Sequence, residues 1–521
     1  MDSFAEKVLN FFTTVLCPTP RASHHEDLIA DKLIDFADAR GLVSRCDNND
    51  NVVIYKPGTG KYAASNVPVI LQAHTDMICV PVAADFGAGV EAYSSAENRL
   101  TGRSAATGEK TSLGADDGIG VAAAMAVLDG GDIVHPPLVA VFTAEEECGL
   151  TGARDISADD ILGIAPGLDF SRAAFINLDN GRFGQFSVGC AGSANVTVKV
   201  PVERMGAAPP PNAFCFELAV RGLAGGHSGL SIHEKRGNAN ILLCISISTL
   251  CHKNIDLQIL GLGLCGDASN AIPSAASVYA AVPAEQEKKL REEAAEIESI
   301  FRQMYEETDG GVRLEVRSSE EAASLAKTAR NKPEAKSEGG NFDDGTPYSF
   351  ETISNLTKLA EEIDNGPIAY SAAVPHLVET SSNLGIMRDE GRFIAMVYMV
   401  RSSIDAERDR IAEKMGREAA NYNSEAETGS KSPGWAYREK SALRDLFLSK
   451  YKELFGEEAA ASPVHAGLEC GHFAEKFAQF KDMDFISCGP TTTEIHSINE
   501  TLHTDTVEKF GKLLIEVLKS L

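Results

Sequence analysis

Short apolar runs alternate with helix-like segments through the first third of the chain. Four runs have strand length: "NVVIYK", "VPVILQAH", "PPLVAVFTAEE" and "RAAFINLD". Between the second and third of them, "GIGVAAAMAVL" has the length and composition of a buried helix. Strands with nearly continuous apolar sequence are typical of parallel sheets that are covered on both faces. The pattern therefore predicts an α/β domain with a mainly parallel sheet.

Two helices are predicted ahead of this sheet. In the first, apolar residues recur at helical spacing at Phe4, Val8, Phe11, Phe12 and Val15. This helix should end before Pro18, because proline cannot continue the helical hydrogen-bond pattern. We expect the second helix to begin at Ser23, since Glu26 three residues later completes a capping-box pattern, and to end near Gly41.

From about Ala191 the pattern changes to that of an α+β domain, with strands, long helices and the hairpin "SNLGIMRDEGRFIAMVYMVR". Near "SPGW" the chain is expected to return to the first domain with the strand "DFISCGP" and a final helix. We therefore predict an α/β domain formed by residues 1–190 and 433–521. The inserted α+β domain, residues 191–432, should resemble a ferredoxin-type sandwich. Within it, residues 331–348 are polar and rich in Gly and Pro, which predicts a mobile loop.

Composition and charge narrow the functional classes. The chain has 48 Lys and Arg against 75 Asp and Glu, and its net charge is −27. Such a field repels phosphate backbones and anionic membranes, so we expect neither nucleic acid nor membrane as a partner. The 11 cysteines are scattered and form no C-x-x-C pair, which indicates reduced thiols in a cytoplasmic protein.

Side chains that commonly bind metals follow the predicted strands. They are His74 and Asp76, Asp116 and Asp117, Glu145, Glu146 and Glu147, Asp179, and His496. Sites in α/β sheets form at the carboxyl ends of strands, although each residue alone has an ordinary alternative as a helix cap or loop residue. Together they supply the ligands that borderline and hard divalent cations prefer. This inventory fits a two-metal hydrolase, in which one carboxylate bridges the ions and another takes a proton from water.

The letters H-T-D occur twice in the chain, and we expect only the first copy to belong to a metal site. His74 follows a predicted strand, whereas His503 precedes the last amphipathic helix. Asp505 and Glu508 form a D-x-x-E pattern at the start of that helix, so Asp505 is predicted to be its N-cap. In this interpretation His503 binds no metal.

A series of short motifs runs along nearly the whole chain. It includes "LQAHTDM", "TSLGADDGIGVA", "EEECGLTGA", "INLD", "GGHSG", "ETSSNLG", "HAGLECG" and "GPTTTEIHS". In this order the motifs resemble those of the cytosolic non-specific dipeptidases, also called aminoacyl-histidine or Xaa-His dipeptidases, in the clan of co-catalytic zinc peptidases. The resemblance implies a metallopeptidase that hydrolyses unblocked dipeptides, either of the Xaa-His type or with broad specificity.

The resemblance also implies roles for particular residues in the first domain. Two zinc ions, with Mn²⁺ or Co²⁺ as substitutes, would be held by two triplets: His74, Asp116 and Asp179, and Asp116, Glu147 and His496. Glu146 would be the general base, chosen by the family's E-E-x-G pattern. Asp76 would hydrogen-bond the other ring nitrogen of His74. Glu145 and Asp117 would take no direct part. Asp117 departs from the residue common in the family, and its extra charge beside the bridging ligand would tune the metal affinity.

Residues of the second domain and of the last segment are implicated in the same way. His227 in "GGHSG" would move in to donate a hydrogen bond to the oxyanion, which would make the inserted domain a lid. Its alternative is an ordinary turn histidine between glycines. Arg401 and Asn270 would bind the carboxylate of the substrate. Their alternative is an ordinary structural role at the ends of strands. Glu469 would contact the substrate.

Two other functions stay open at this point. One is an amidohydrolase of the same clan that removes the acyl group from N-acylated amino acids. The other is a metal-binding regulatory homologue without turnover, although the presence of Glu146 argues against it. Related enzymes often pair through the lid domain, so a homodimer of this kind is an expectation from the resemblance alone.

Overall fold

The computed structural model describes residues 3–131, 133–330 and 346–521. The chain forms two compact units. The first consists of Met1–Cys190, Gly434–Val464 and Leu468–Leu521, and the second of Ala191–Pro433 and His465–Gly467. The loop predicted at 331–348 lies outside the described residues except for its last three positions, of which Tyr348 is buried in the core of the second unit. No described helix combines the length and the apolar character needed to span a membrane.

An eight-stranded sheet forms the centre of the first unit. Its strands lie in the order Val43–Cys46, Val52–Lys56, Leu138–Thr143, Val69–His74, Ala174–Asn177, Asp484–Ser487, Gln185–Cys190 and Ala460–Val464. The strand Val69–His74 pairs in parallel with both of its neighbours, and the next pair along is parallel too. The first two strands pair antiparallel at one edge. The α/β class with a mainly parallel sheet is confirmed.

Both faces of this sheet are buried, which explains the continuous apolar runs. Leu71 and Ala140 point into one hydrophobic cluster, while their neighbours Ile70 and Val139 point into a second cluster. The phenyl ring of Phe175 belongs to the second cluster and stacks on Phe485 at 4.7 Å between ring centroids. Because strand side chains alternate between faces, apolar residues are needed at successive positions.

Helices cover the sheet, and a smaller sheet lies in the same unit. The helical segments are Ser3–Phe11, Phe12–Leu16, Asp27–Asp38, Ala115–Asp129, Thr151–Asp155, Ala158–Leu162, Ala442–Phe455, Glu469–Lys476 and Thr504–Leu518. The smaller sheet contains Val90–Ala96, Arg99–Ser104, Lys110–Thr111, Thr492–Thr493 and Thr501–His503.

The start of the second helix differs from the prediction. The helix begins at Asp27, and Ser23 does not cap it. Instead, Ser23 Oγ donates a hydrogen bond to Asp76 Oδ2 at 2.8 Å. Glu26 Oε1 accepts the main-chain N–H of Glu145 at 3.0 Å. Both residues of the expected capping box thus bind distant loops, which a local pattern does not reveal.

The last helix also begins earlier than expected. It starts at Thr504, and His503 rather than Asp505 occupies the N-cap position, without a side-chain cap. Asp505 lies in the first turn, where its carboxylate pairs with Arg99 at 3.2 Å. A carboxylate in the first turn is favoured by the helix dipole, so Asp505 stabilises the helix without capping it.

The second unit is built on antiparallel sheets. A five-stranded sheet has the order Gly366–Tyr370, Val378–Asp389, Phe393–Ser402, Gly192–Pro201 and Glu425–Ser432. A four-stranded sheet has the order Gln258–Leu262, Ala276–Val282, Phe214–Arg221 and Arg313–Ser318. The helices of this unit are Ala239–His252, Glu287–Met304, Glu306–Asp309, Glu320–Arg330, Phe350–Glu362 and Asp405–Ala420.

Candidate metal centre

Three adjacent parallel strands deliver candidate ligands at their carboxyl ends. His74 is the last residue of the central strand, and Asp76 follows two positions later. Glu146 and Glu147 follow the neighbouring strand that ends at Thr143, and Asp179 follows the strand on the other side. Because the three strands run in the same direction, their ends meet at one edge of the sheet.

Asp116 and His496 reach the same place by other routes. The position of Asp116 at a helix start agrees with the sequence, whereas His496 does not follow a strand of this sheet as the sequence predicts. Asp116 stands at the start of the helix Ala115–Asp129, where its backbone is not helical. His496 lies in the loop after Thr492–Thr493 of the smaller sheet, with φ of 57°. The left-handed backbone turns this exposed imidazole toward the carboxylates.

The predicted ligands fall into two groups that share one residue. Ligand atoms of His74, Asp116 and Asp179 lie within 4.8 Å of one another, and so do those of Asp116, Glu147 and His496. Asp116 Oδ1 lies 3.2 Å from His74 Nε2, and Asp116 Oδ2 lies 3.5 Å from His496 Nε2. The two oxygens of one carboxylate therefore face different histidines, which is the arrangement that a bridging ligand requires.

Asp76 supports both sides of this cluster. Its Oδ1 lies 3.3 Å from Nδ1 of His74, the ring nitrogen that does not face Asp116. Its two oxygens also accept the main-chain N–H groups of Glu146 and Glu147 at 3.0 and 3.2 Å. Asp76 is fully buried, so it holds the histidine and the loop of two glutamates in fixed relative positions.

The carboxyl groups of the cluster carry more negative charge than a buried site tolerates. Burial raises the pKa of Glu146 well above its usual range, and burial together with the charge of Asp116 raises the pKa of Asp179 to about 8. Burial would also raise the pKa of Asp116, but its hydrogen bonds with His496 and His74 outweigh it and lower that pKa. Divalent cations relieve this repulsion, so the donor set fits bound metal ions.

A third group of possible ligands contains His74, Glu146 and Glu147, whose ligand atoms also lie within 4.8 Å of one another. Geometry therefore allows Glu146 to be either a ligand or a free base. Glu145 turns away and pairs with His24 at 2.9 Å. Asp117 Oδ1 accepts the N–H of Gly120 at 3.2 Å, and neither Glu145 nor Asp117 belongs to a ligand group among the described residues.

Glu469 lies in the same unit, and its carboxylate is buried. Gln72 Nε2 donates a hydrogen bond to Glu469 Oε2 at 2.5 Å. The buried Oε1 has no hydrogen-bond partner among the described residues. Burial raises the pKa of Glu469 to about 7. An unpaired buried acceptor of this kind is costly unless a ligand donates to it.

The other predicted site residues lie in the second unit. His227 Nδ1 accepts the main-chain N–H groups of Gly229 and Leu230, both at 3.1 Å. An accepting Nδ1 places the ring proton on Nε2, which is then free to donate. Arg401 is 5% exposed, and its Nε donates to Ser228 Oγ at 3.4 Å. Among the described residues, no carboxylate forms an ion pair with this guanidinium.

Asn270 contacts this group through its main chain. Its carbonyl oxygen accepts the N–H of Ser228 at 2.8 Å, and Ser228 in turn accepts from Arg401. The residue itself is exposed. Ser228 thus connects the side chain of Arg401 with the backbone at Asn270, and the charge of Arg401 adds to burial in lowering the pKa of His227.

His465 belongs to this group, and the sequence analysis did not select it. Its Nε2 lies 2.7 Å from Ser381 Oγ, and burial and the charge of Arg401 lower its pKa to about 3. Its carbonyl oxygen lies so close to Gly229 that a Cβ there would stand 2.3 Å away, which explains the last glycine of "GGHSG". The sequence feature that points to His465 is its position as the first residue of the motif "HAGLECG".

The second unit should lose stability in acid because of these histidines. Burial lowers the pKa of His227 to about 4 and that of His465 to about 3, from an ordinary value of 6.5. Below pH 6.5 the unfolded chain therefore binds protons that the folded protein does not. Each proton lowers the free energy of unfolding by about 1.4 kcal/mol per pH unit as the pH falls toward those values.

Thermal unfolding measured between pH 7 and pH 4 tests this expectation. We expect His465→Asn to show a shallower decrease in melting temperature than the parent protein. The same substitution at the exposed His252 controls for the loss of a histidine. Equal pH dependence in the parent protein and His465→Asn would contradict the expectation.

The second H-T-D copy lies outside the ligand groups. His503 Nε2 lies 3.2 Å from Thr493 Oγ1, and His503 is in none of the groups of potential metal ligands found in the described part of the chain. The structure thus brings together the five predicted ligands and separates this histidine from them.

The fold and the clustered ligands define a metallopeptidase. Peptidase family M20/M25/M40 matches residues 70–520, so the chain belongs to this family. The resemblance inferred from the motifs is therefore confirmed.

Two relatives match almost end to end. The cytosol non-specific dipeptidase of Escherichia coli (strain K12) is 29% identical over 516 residues, which cover 97% of this chain and 96% of the relative. The crystal structure of aminoacylhistidine dipeptidase from Vibrio alginolyticus has 28% identity and a TM-score of 0.78, and the match covers 99% of this chain and 96% of that one. Aminopeptidase PepT from Bacillus cereus ATCC 10987, at 15% identity and a TM-score of 0.54, shares the fold over 99% of this chain and 98% of its own.

Proposed function

We propose that this protein is a dinuclear zinc dipeptidase that hydrolyses unblocked dipeptides, of the Xaa-His type or with broad specificity. The names of the two end-to-end relatives support the substrate class. The observation that carries the proposal is the position of Asp116, whose two oxygens face His74 and His496 separately. A single-metal site would not need a shared carboxylate.

The first unit would hold the metals through the two ligand groups. His74, Asp116 and Asp179 would bind one ion, and Asp116, Glu147 and His496 would bind the other. When bound, zinc polarises the scissile carbonyl and lowers the pKa of a water molecule, and Mn²⁺ or Co²⁺ can supply the same chemistry. Asp76 keeps Nδ1 of His74 oriented, so that Nε2 stays available as the ligand atom.

Glu146 is the proposed general base. It takes a proton from the attacking water and delivers that proton to the leaving amine. Its position supports this role, because it directly precedes the ligand Glu147 and its main chain is held by Asp76. Because Glu146 also belongs to a group of possible metal ligands with His74 and Glu147, the metal content of Glu146 variants shows whether this residue is a ligand or a base.

Residues of the second unit are proposed to act on the bound substrate, which makes this unit a lid. His227 donates from Nε2 to the oxyanion that forms at the carbonyl. The direction of its Nδ1 hydrogen bonds supports this, because they leave the Nε2 proton free. Arg401 binds the terminal carboxylate of the dipeptide, with Asn270 at the same place, since a buried guanidinium that pairs with no carboxylate of the described residues favours an anionic ligand.

Arg401→Gln should raise KM for dipeptides on the order of 10- to 100-fold, because a hydrogen bond to a charged group contributes about 1.5–3 kcal/mol. The parent protein should prefer a dipeptide over its C-terminal amide, and the variant should lose that preference. The matched control is Arg408→Gln, since Arg408 is equally buried but pairs with Asp405 and Asp409. If Arg401→Gln still discriminates acid from amide, Arg401 does not bind the carboxylate.

Glu469 is proposed to bind the free amino group of the substrate through Oε1, to which no described residue donates a hydrogen bond. A buried carboxylate acceptor favours an ammonium group and disfavours an N-acyl group, which has no positive charge. This feature supports a dipeptidase over the alternative amidohydrolase that acts on N-acylated amino acids. Glu469→Gln should therefore weaken binding of unblocked dipeptides more than binding of an N-acetyl amino acid.

A small substrate panel tests the proposed specificity. We expect the zinc-loaded protein to cleave β-Ala-His, Ala-His or Gly-Gly and to leave a tripeptide and an N-acetyl amino acid intact. His503→Ala, outside the ligand groups, should behave like the parent protein. Cleavage of the N-acetyl amino acid alone would favour the amidohydrolase, and two bound metals without any turnover would favour the regulatory homologue. A cytoplasmic location and a homodimer formed through the second unit also stay predictions.

A further inference from the structure

Glu500 is a buried carboxylate that no step of the proposed hydrolysis uses. The residue is 2% exposed. Oε2 accepts hydrogen bonds from the main-chain N–H groups of Leu113 and Gly114 at 2.8 and 2.9 Å. Oε1 accepts from those of Ala115 and Asp116 at 2.7 and 3.2 Å. One side chain thus binds four consecutive main-chain N–H groups of the loop that delivers the proposed bridging ligand.

Arg21 holds the same loop from another direction. Its Nη2 donates to the carbonyl oxygen of Gly114, and its Nη1 donates to those of Thr75 and Asp76 at 2.9 and 3.1 Å. A Cβ at position 114 would stand 2.4 Å from Nη2, so the glycine leaves room for the guanidinium. Arg21 therefore connects the loop to the segment that follows His74.

We propose that Glu500 is a positioning residue of the metal centre, an inference that rests on the proposed two-zinc function. By binding four N–H groups, Glu500 fixes the place and direction in which Asp116 presents its oxygens. Glu500 also lies four residues after His496, so the same short segment carries a ligand and the residue that orients the bridge. Ligands that are held in place before binding lose less conformational freedom when the metal binds.

The variant Glu500→Gln preserves the side-chain volume and removes one acceptor. Its amide group would face main-chain N–H groups, to which an NH₂ cannot bind. We expect both zinc ions to bind on the order of 10- to 100-fold more weakly, because Asp116 serves both of them. His496→Ala should instead weaken only one ion, and the two patterns are therefore distinguishable.

Zinc binding to the full-length, metal-stripped protein tests this inference. Competition with a chromogenic chelator gives the zinc constants, and calorimetry gives the melting temperature without metal. At saturating zinc, Glu500→Gln should regain most of the turnover of the parent protein. The matched control is Asp484→Asn, since Asp484 Oδ2 accepts hydrogen bonds from Ser441 Oγ and the Leu443 N–H, outside the metal loops. This control should lower the melting temperature and leave the zinc constants unchanged.

The possible results separate the role of Glu500 from the proposed two-zinc function. A parent protein that binds no zinc overturns the proposed function and this inference together. A parent protein that binds two zinc ions, with the same constants in folded Glu500→Gln, overturns the inference alone. So does a loss of affinity that Asp484→Asn reproduces. If Glu500→Gln does not fold, Glu500→Asp retains the charge but draws the carboxylate back by one methylene, and unchanged zinc constants in that variant overturn the inference.

Discussion

Glu146→Gln should lower kcat by about 100- to 10,000-fold, the usual contribution of a positioned general base, while both zinc ions stay bound. The amide cannot accept the proton of the attacking water, but it has nearly the same shape as the carboxylate. Steady-state kinetics and zinc analysis of the same preparation check both parts of this expectation.

Glu145→Gln is the matched control for this variant. Glu145 is the preceding residue and pairs with His24, away from the ligand groups, so its loss should leave kcat nearly unchanged. If Glu146→Gln loses one zinc ion, Glu146 is a ligand in the group with His74 and Glu147, and the assignment of the base is wrong.

Asp116→Ala should remove both zinc ions and all measurable turnover. This substitution deletes the one carboxylate that the two proposed zinc sites share, whereas each other proposed ligand belongs to only one of those two sites. Zinc content after dialysis should fall from two ions per chain to less than one, and added zinc should restore little activity.

Asp117→Asn provides the comparison at the adjacent position. Asp117 is buried and accepts the N–H of Gly120, a hydrogen bond that asparagine can also accept. We expect this variant to retain both zinc ions. Two zinc ions bound to Asp116→Ala with parent-like affinity would contradict the bridging role.

The sequence predicted those parts of the structure that follow from local periodicity. The buried strands Val69–His74 and Leu138–Thr143 could be recognised because both faces of the sheet require apolar residues. His74, Glu146 and Glu147 could then be expected near one another, since parallel strands end at the same edge. A ligand at the end of a strand can thus be predicted from the sequence wherever a regular strand directly precedes it.

Residues that depend on distant partners could not be placed in this way. Ser23 and Glu26 match a capping box locally, but the carboxylate of Asp76 and the backbone of Glu145 bind them instead. The loop around Asp116 is held by Glu500, which lies nearly four hundred positions away along the chain. No pattern within one segment contains that information.

His465 shows the same limit for the second unit. It directly follows Ala460–Val464, an edge strand of the first unit, yet its side chain binds Ser381 and it belongs to the second unit. Only the three-dimensional arrangement connects it with Arg401, whose charge contributes to its lowered pKa. The motif "HAGLECG" indicated that the segment matters, but not which of its residues acts.

The most direct test of the account is a zinc titration of the metal-stripped protein during hydrolysis of Ala-His. We expect no turnover without metal, and a rate that rises with added zinc until two ions are bound per chain. A full rate in the rigorously metal-free protein, or no hydrolysis of any unblocked dipeptide with two zinc ions bound, would contradict it.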